Sequence, residues 1–328
     1  GAAASPDAVP TTPQVTLSGA GNGGTSVLTI TGSSNVTLKY FEITGGVAGA
    51  GSHGGGINFN GTGSLTLDTT TVDTNSANFG GGIEINGGGA DATLILGAYT
   101  IIESNTAAGN GGGINIEGFA DLIATSANTL IAFNHAPSGH GGGIAIVGPA
   151  HAEIASPGYG TLAVLYGNDA AFGGGMSASA SSNSDAGSFT LYTTDPAQPV
   201  AASGNFASQA GGGIYLKAYD AFGGGDATAY ACLYDFRIDG NAAPDGAAIY
   251  AASDSSFGGT TQGSIVFMNA SDFYCNASTP GVQCAAGVAC NTLDNNQTKD
   301  GLNQPTPGSV IMVEDNGLFL ANRMALRN

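Results

Sequence analysis

The stretch Ile131-Ala132-Phe133-Asn134-His135-Ala136-Pro137-Ser138-Gly139-His140-Gly141-Gly142-Gly143-Ile144 decides the fold, because much of the chain repeats it. An Asn, a short step through a small residue, a glycine cluster and an apolar strand recur along the sequence. The copies are Asn75 before glycines 80–82, Asn105 before 111–113, Asn134 before 141–143, Asn168 before 173–175 and Asn205 before 211–213. A sixth, weakened copy sets Asn241 before Gly246-Ala247-Ala248, and an earlier cluster at 54–56 lacks the Asn. The first apolar residues after the clusters are Ile57, Ile83, Ile114, Ile144, Met176, Ile214 and Ile249, so the steps are 26, 31, 30, 32, 38 and 35 residues. Self-similarity at that period is the signature of stacked repeats.

Each repeat carries short segments of β character. After Ile83 they read Ile83-Glu84-Ile85, Ala92-Thr93-Leu94-Ile95-Leu96 and Tyr99-Thr100-Ile101-Ile102, separated by Gly, Asn, Ser and Asp. No helical period intervenes, whereas Ile-x-Ile alternation returns at Ile114 and Ile144. Three short strands in about 30 residues match one coil of a right-handed parallel β-helix. A propeller blade needs four antiparallel strands in about 40–50 residues, and leucine-rich or ankyrin repeats need a helical piece. The glycine cluster is expected at the tightest corner, where a Cβ would crowd the next coil. Asn75, Asn105, Asn134, Asn168, Asn205 and Asn241 are expected to form a structural ladder of stacked side-chain amides.

The unbroken repeat predicts one elongated domain over 1–328: an irregular start through 33, regular coils over 34–251, and less regular, cysteine-bearing coils over 252–328. The last eleven residues read as a further rung cut off soon after Asn322, which implies that the natural protein continues. Charged residues make up only 9% of the chain, and 24 acidic side chains against 6 basic ones give a net charge of −18. Without a basic stripe to neutralise phosphates, nucleic acid and anionic membranes are poor partners, and no nucleic-acid partner is expected. No apolar run reaches the roughly 20 residues that span a bilayer, so no membrane insertion of this segment is expected. An acidic, lysine-poor surface suits a secreted or cell-surface protein. Cys232, Cys275, Cys284 and Cys290 form an even set without metal-ligand spacing, which points to disulfides of open pairing and an oxidising compartment.

Chemistry is sparse. Polygalacturonase-type enzymes share the expected fold, and Gly139-His140-Gly141 matches one of their tripeptides. The chain has no Asp-Asp pair and no Asn-Thr-Asp before it, and inverting hydrolysis needs two placed carboxyl groups. His140, like His53, simply precedes a glycine cluster. For lyase chemistry, which pairs a basic residue with acids, the best cluster is Lys217 and Arg237 near Asp220, Asp226, Asp235 and Asp239. Tyr215, Tyr219 and Tyr230 are the candidate platforms for stacking a sugar ring. Residues 86–91, Asn-Gly-Gly-Gly-Ala-Asp, approach the calcium-roll nonapeptide, which works only in tandem, and no second copy follows. No cofactor or metal is assigned, and a structural Ca²⁺ is left open. The Asn-x-Ser/Thr triplets at Asn35, Asn60, Asn269, Asn276 and Asn296 are glycosylation acceptors only in a eukaryotic secretory route.

Runs such as Ile131-Ala132-Phe133-Asn134-His135-Ala136 followed by Gly141-Gly142-Gly143-Ile144 resemble the repeats of polymorphic outer-membrane proteins. That family pairs a Gly-Gly-Ala-aliphatic motif with Phe-x-x-Asn. Here a third glycine replaces the alanine in most copies, and Phe-x-x-Asn occurs only late, at Phe273 and Phe319. The resemblance covers 34–251 and implies a surface-displayed or secreted autotransporter passenger, often adhesive. The expected function is therefore a structural or adhesin-like β-helix without catalysis, its partner a host or environmental glycan or protein. The alternatives are a polysaccharide lyase or glycoside hydrolase and a non-catalytic glycan-binding module. End-to-end self-association through unpaired terminal strands is also expected.

Overall fold

The structure is a computed structural model. It describes residues 13–20, 23–126, 128–155, 164–180, 187–192, 201–219, 228–234, 236–253, 265–268, 291–299, 308–314, 318–321 and 324–327. The described residues form strands and turns, and every pair of strands in the sheets is parallel. Three sheets result, of ten, seven and sixteen strands among the described residues; a regular coil adds one strand to each of the two smaller sheets and two to the largest.

The coil that opens at Ile83 shows the pattern. Ile83–Asn86 and Ala92–Leu96 belong to the largest sheet, Ile101–Glu103 to the ten-stranded sheet, and Thr106–Ala107 to the seven-stranded one. Each coil thus holds four strands rather than the three expected. The fourth is only two residues long here, too short to show alternation, and it directly follows the ladder Asn. Near the start, Leu28–Lys39 and Ile57–Asp68 run straight through a bend that later coils make, so each spans two faces as one strand.

Register follows the apolar period. Ile57, Ile83, Ile114, Ile144, Met176, Ile214 and Ile249 pair in sequence across the coils, and all are wholly buried. On the opposite wall Ile43, Val72, Ile102, Ile131, Leu165, Ala202, Ile238 and Leu293 form an equivalent row. Fully burying one such aliphatic side chain stabilises by about 1.5–3 kcal/mol, so the core is continuous along the stack.

The three glycines of a cluster have three different duties. Gly111 is left-handed at φ +67°, a conformation that carries a penalty for any residue with a Cβ. A Cβ on Gly112 would lie 2.5 Å from the Gly142 carbonyl oxygen of the next coil. A Cβ on Gly113 would lie 2.7 Å from Gly143 O and 2.9 Å from the Asn134 amide nitrogen. The weakened copy keeps only the first glycine, Gly246, which is also left-handed.

The ladder amides make a repeated set of bonds. Asn105 Nδ2 donates to Asn134 Oδ1 at 3.0 Å and to Val72 O at 2.9 Å, and the same Asn134 Oδ1 accepts from Asn105 N at 3.1 Å. The set recurs from Asn75 through Asn241 and continues to Asn296. Asn296 escapes the sequence period because 55 residues separate it from Asn241 and its glycine cluster has become Gly308-Ser309-Val310. Its amide is engaged in the stack, which removes Asn296 as a glycosylation candidate. The residue before each ladder Asn is left-handed: Thr74, Ser104 and Phe133, then Gly167, Gly204 and Gly240.

Candidate functional site

A concave corner runs along the outside of the largest sheet. The residues just before the glycine clusters form a row that includes His53 beside Phe79 and His140 beside Phe172, continuing through Ala210 to Asp245. The left-handed glycine that follows turns the chain sharply, so this row folds over outward-pointing residues of the neighbouring strands. Glu84, Asn115 and Ala145 sit at outward positions, each one residue past an inward Ile, and all are wholly buried. The overhanging row covers Glu84, which alternation with Ile83 and Ile85 turns away from the core.

At one end the corner is polar. His53 Nδ1 lies 3.3 Å from Glu84 Oε1. Asn115 Nδ2 donates to Glu84 Oε1 at 3.2 Å, to Glu84 Oε2 at 3.0 Å and to Glu117 Oε1 at 2.8 Å. Asn86 Nδ2 reaches Glu117 Oε2 at 3.5 Å. Burial pushes the Glu84 carboxyl up to about 7, opposed by the hydrogen bond from His53 and assisted by the nearby charge of Glu117. The Glu84 hydrogen bond raises His53 above its ordinary value. One ring nitrogen of His53 and one oxygen from each of Glu84 and Glu117 all lie within 4.8 Å of one another, a geometry able to hold a metal ion. Two close carboxyls, one protonated near neutrality, also suggest glycoside hydrolysis. Glu84 has no exposed surface, however, so its proton cannot reach a glycosidic oxygen.

Further along, the corner is aromatic. His140 stacks on Phe172 with centroids 4.9 Å apart, Tyr215 packs against both rings, and Tyr215 stacks on Tyr250 at 5.2 Å. Burial drives His140 down to about 4, and its Nδ1 is buried without a hydrogen-bond partner. Tyr215 is 5% exposed with its ring enclosed, so it is core-like packing rather than a sugar platform.

Elsewhere, Asp121, His151 and Ser188 stand in register across three coils, with His151 Nδ1 2.8 Å from Ser188 Oγ. The order suggests a nucleophile triad, but Ser188 is only 2% exposed and Asp121 acts on His151 through charge alone.

Of the lyase candidates, the two basic residues lie on different sheets. Lys217 lies on the largest sheet, with its ammonium 5.8 Å from the Tyr219 ring centroid. Arg237 lies on the ten-stranded sheet and bonds Asp239 on its own strand at 2.8 Å. Asp220, Asp226 and Asp235 are outside the described residues. Tyr230 is partly exposed, in register with Ser188. Asn86 of the calcium-roll stretch accepts from Gly88 N at 2.7 Å, closing an ordinary side-chain turn between strands. Cys232 occupies an outward position opposite Thr190, is buried and is not a free thiol; Cys275, Cys284 and Cys290 lie outside the described residues.

The sequence reading missed His53, Glu84, Asn115 and Glu117 as a group. The available signal was His53 standing immediately before a glycine cluster, the position that overhangs the next strand. Comparison with protein-family models, curated proteins and solved structures finds no match for the chain.

Proposed function

We propose that this chain is a right-handed parallel β-helix that acts as a rigid extracellular scaffold, an adhesin-like stalk or passenger without catalysis of its own. The observation that carries the reading is the amide ladder from Asn75 to Asn296, which ties coil to coil through buried hydrogen bonds. Right-handed crossover is the rule for parallel strands joined within one sheet. Ten strands in one sheet, spaced by about 4.8 Å, give a rod roughly 43 Å long. A net charge of −18 keeps such a rod soluble outside the cell. The resemblance to polymorphic outer-membrane repeats favours the same place, at the bacterial surface or beyond it. Burial of Cys232 at an outward position fits a cross-link to one of the three later cysteines. Binding of a glycan or protein on a flank, and end-to-end association of rods, belong to this reading.

The test is an activity and binding screen on the purified chain. Acidic and neutral polysaccharides are scored for new reducing ends and unsaturated products, and separately for retardation in affinity gels. Binding without turnover, or neither, agrees with a scaffold. Turnover that copurifies with the chain overturns it. Antibody labelling of intact cells supplies the location, and labelling only after lysis counts against the surface assignment.

A further inference from the structure

We propose that His53, Glu84 and Glu117 form a binding site for one divalent transition ion of the zinc class, with Asn115 as a fourth, neutral ligand. The site does not depend on the scaffold reading. Its three charged or titratable ligands come from three successive coils, each fixed by the parallel register, so the site is largely built before an ion arrives. The 3.3 Å separation of His53 Nδ1 and Glu84 Oε1 equals the edge of a tetrahedron with metal–ligand bonds of about 2.0–2.1 Å. The 4.8 Å limit on the full set leaves a small side-chain adjustment for Glu117, which is partly exposed and free to make it.

The donor chemistry narrows the ion. One imidazole nitrogen with two carboxylates suits zinc and its neighbours, whereas Ca²⁺ takes six to eight oxygens and soft ions prefer thiolate. Two carboxylates match the charge of a divalent ion. Glu84 places a carboxyl with no exposed surface in contact with an imidazole that is 38% exposed and with the Asn115 amide.

A second observation concerns the amide that lies between the two acids. Asn115 Oδ1 is buried and has no hydrogen-bond partner, although the nitrogen of that amide touches both Glu84 oxygens and Glu117 Oε1. Buried polar atoms are rarely left so. A half-turn of the amide exchanges oxygen for nitrogen, and Oδ1 then faces the point on which the carboxylates converge. A cation there would draw on Oδ1 as well as on the two acids, in place of the three bonds that Asn115 Nδ2 now makes. The supporting contacts are those a metal site needs: the His53 ring lies 5.2 Å from the Phe79 ring at 30°, and Asn86 steadies Glu117.

The experiment uses the whole chain, stripped with a chelator and titrated with ZnCl2 by calorimetry, with CaCl2 and MgCl2 in parallel and metal content measured after dialysis. One Zn²⁺ per chain is expected, with Ca²⁺ and Mg²⁺ at least about tenfold weaker. Glu117→Gln and His53→Phe should each weaken Zn²⁺ by about tenfold or more, and Asn115→Leu by about tenfold. Glu84→Gln should abolish binding, while the metal-free variant melts no lower than the parent, because an amide of the same shape replaces a buried carboxylate. No saturable Zn²⁺ binding overturns the proposal. So does binding that Glu117→Gln and His53→Phe leave unchanged, which would be diffuse association with the acidic surface. Should Glu84→Gln fail to fold, those two variants decide the matter alone.

Discussion

Replacing Asn134 by Ala cuts the amide ladder at its middle, and the cost can be worked from the bonds. Four are lost: Asn134 Nδ2 to Asn168 Oδ1 at 3.0 Å and to Ile102 O at 2.9 Å, and those from Asn105 N at 3.1 Å and Asn105 Nδ2 at 3.0 Å to Asn134 Oδ1. At about 0.5–1.5 kcal/mol net per bond, the loss is about 2–6 kcal/mol. Two groups keep partners, since Asn168 Oδ1 still accepts from Asn134 N and Asn105 Nδ2 still donates to Val72 O. The Asn105 backbone N–H loses the acceptor it has in the ladder while staying buried, which holds the expectation near 4 kcal/mol. Asn134→Asp should be at least as damaging at neutral pH, because it aims an oxygen at Asn168 Oδ1 and Ile102 O, and acidification should relieve part of the loss. Asn60→Ala, on an exposed position of Ile57–Asp68, should stay within about 0.5 kcal/mol. Urea unfolding followed by far-UV circular dichroism measures all three, with hydrogen exchange at the Asn105 amide as a local readout. A loss below about 1 kcal/mol for Asn134→Ala, indistinguishable from Asn60→Ala, refutes the ladder as a source of stability.

Gly112→Ala sets a Cβ 2.5 Å from Gly142 O and 2.6 Å from His135 N, both rigid backbone, and should lower stability by about 3 kcal/mol; Gly89→Ala, with open space around it, should be close to neutral by the same urea assay. Ser104 holds φ +55°, so Ser104→Gly should be neutral or stabilising by up to about 1 kcal/mol in thermal melts, the relieved strain exceeding the added chain entropy. His140 titrates near 4 in the folded chain and near its ordinary 6.5 when unfolded, so its contribution is intact above 6.5, declines as pH falls and is fully lost below about 4. That contribution is on the order of 3 kcal/mol, and His140→Phe, which preserves the stack on Phe172, should flatten the pH dependence by that amount in denaturation at pH 7 against pH 4.

What was legible in the sequence is what repeats. Ile83, Ile114 and Ile144 and the Asn positions recur because each coil presents them to their own counterparts one strand away, and that constraint writes itself as a period. The glycine clusters were legible as tight corners for the same reason, and the left-handed position before the ladder was visible in Gly167-Asn168, Gly204-Asn205 and Gly240-Asn241. The two-residue strand at Thr106–Ala107 was not legible, because alternation needs more than two residues to show. The burial of Glu84 was hidden for a different reason. It depends on how far the row of His53 and Phe79 overhangs the next strand, a tertiary angle set by Gly54 and Gly80. Lys217 and Arg237 looked like neighbours because they are close in sequence, but the intervening chain turns from one sheet to another.

The exceptions to repetition locate the chemistry. In a parallel stack each residue faces its counterpart about 4.8 Å away, so a row of like charges would repel. The two outward rows of the polar corner avoid this by never setting two acids in register. One runs Asn58, Glu84, Asn115 and Ala145; the other runs Asn60, Asn86, Glu117 and Val147. Each carboxylate therefore has an amide in register before it, Asn58 for Glu84 and Asn86 for Glu117, and the two acids meet only on the diagonal, with Asn115 between them. Stacking alone does not ask for this. The next coils fill the first row with Ala145 and Ser177, and then the corner is sealed by His140, Phe172, Tyr215 and Tyr250. Small or aromatic residues thus complete the same corner without a carboxylate. Burying Glu84 opposes folding by the desolvation that lifts its carboxyl to about 7, which the contacts from His53 and Asn115 offset only in part. A use that needs two anions beneath one imidazole accounts for their placement, and the fold does not.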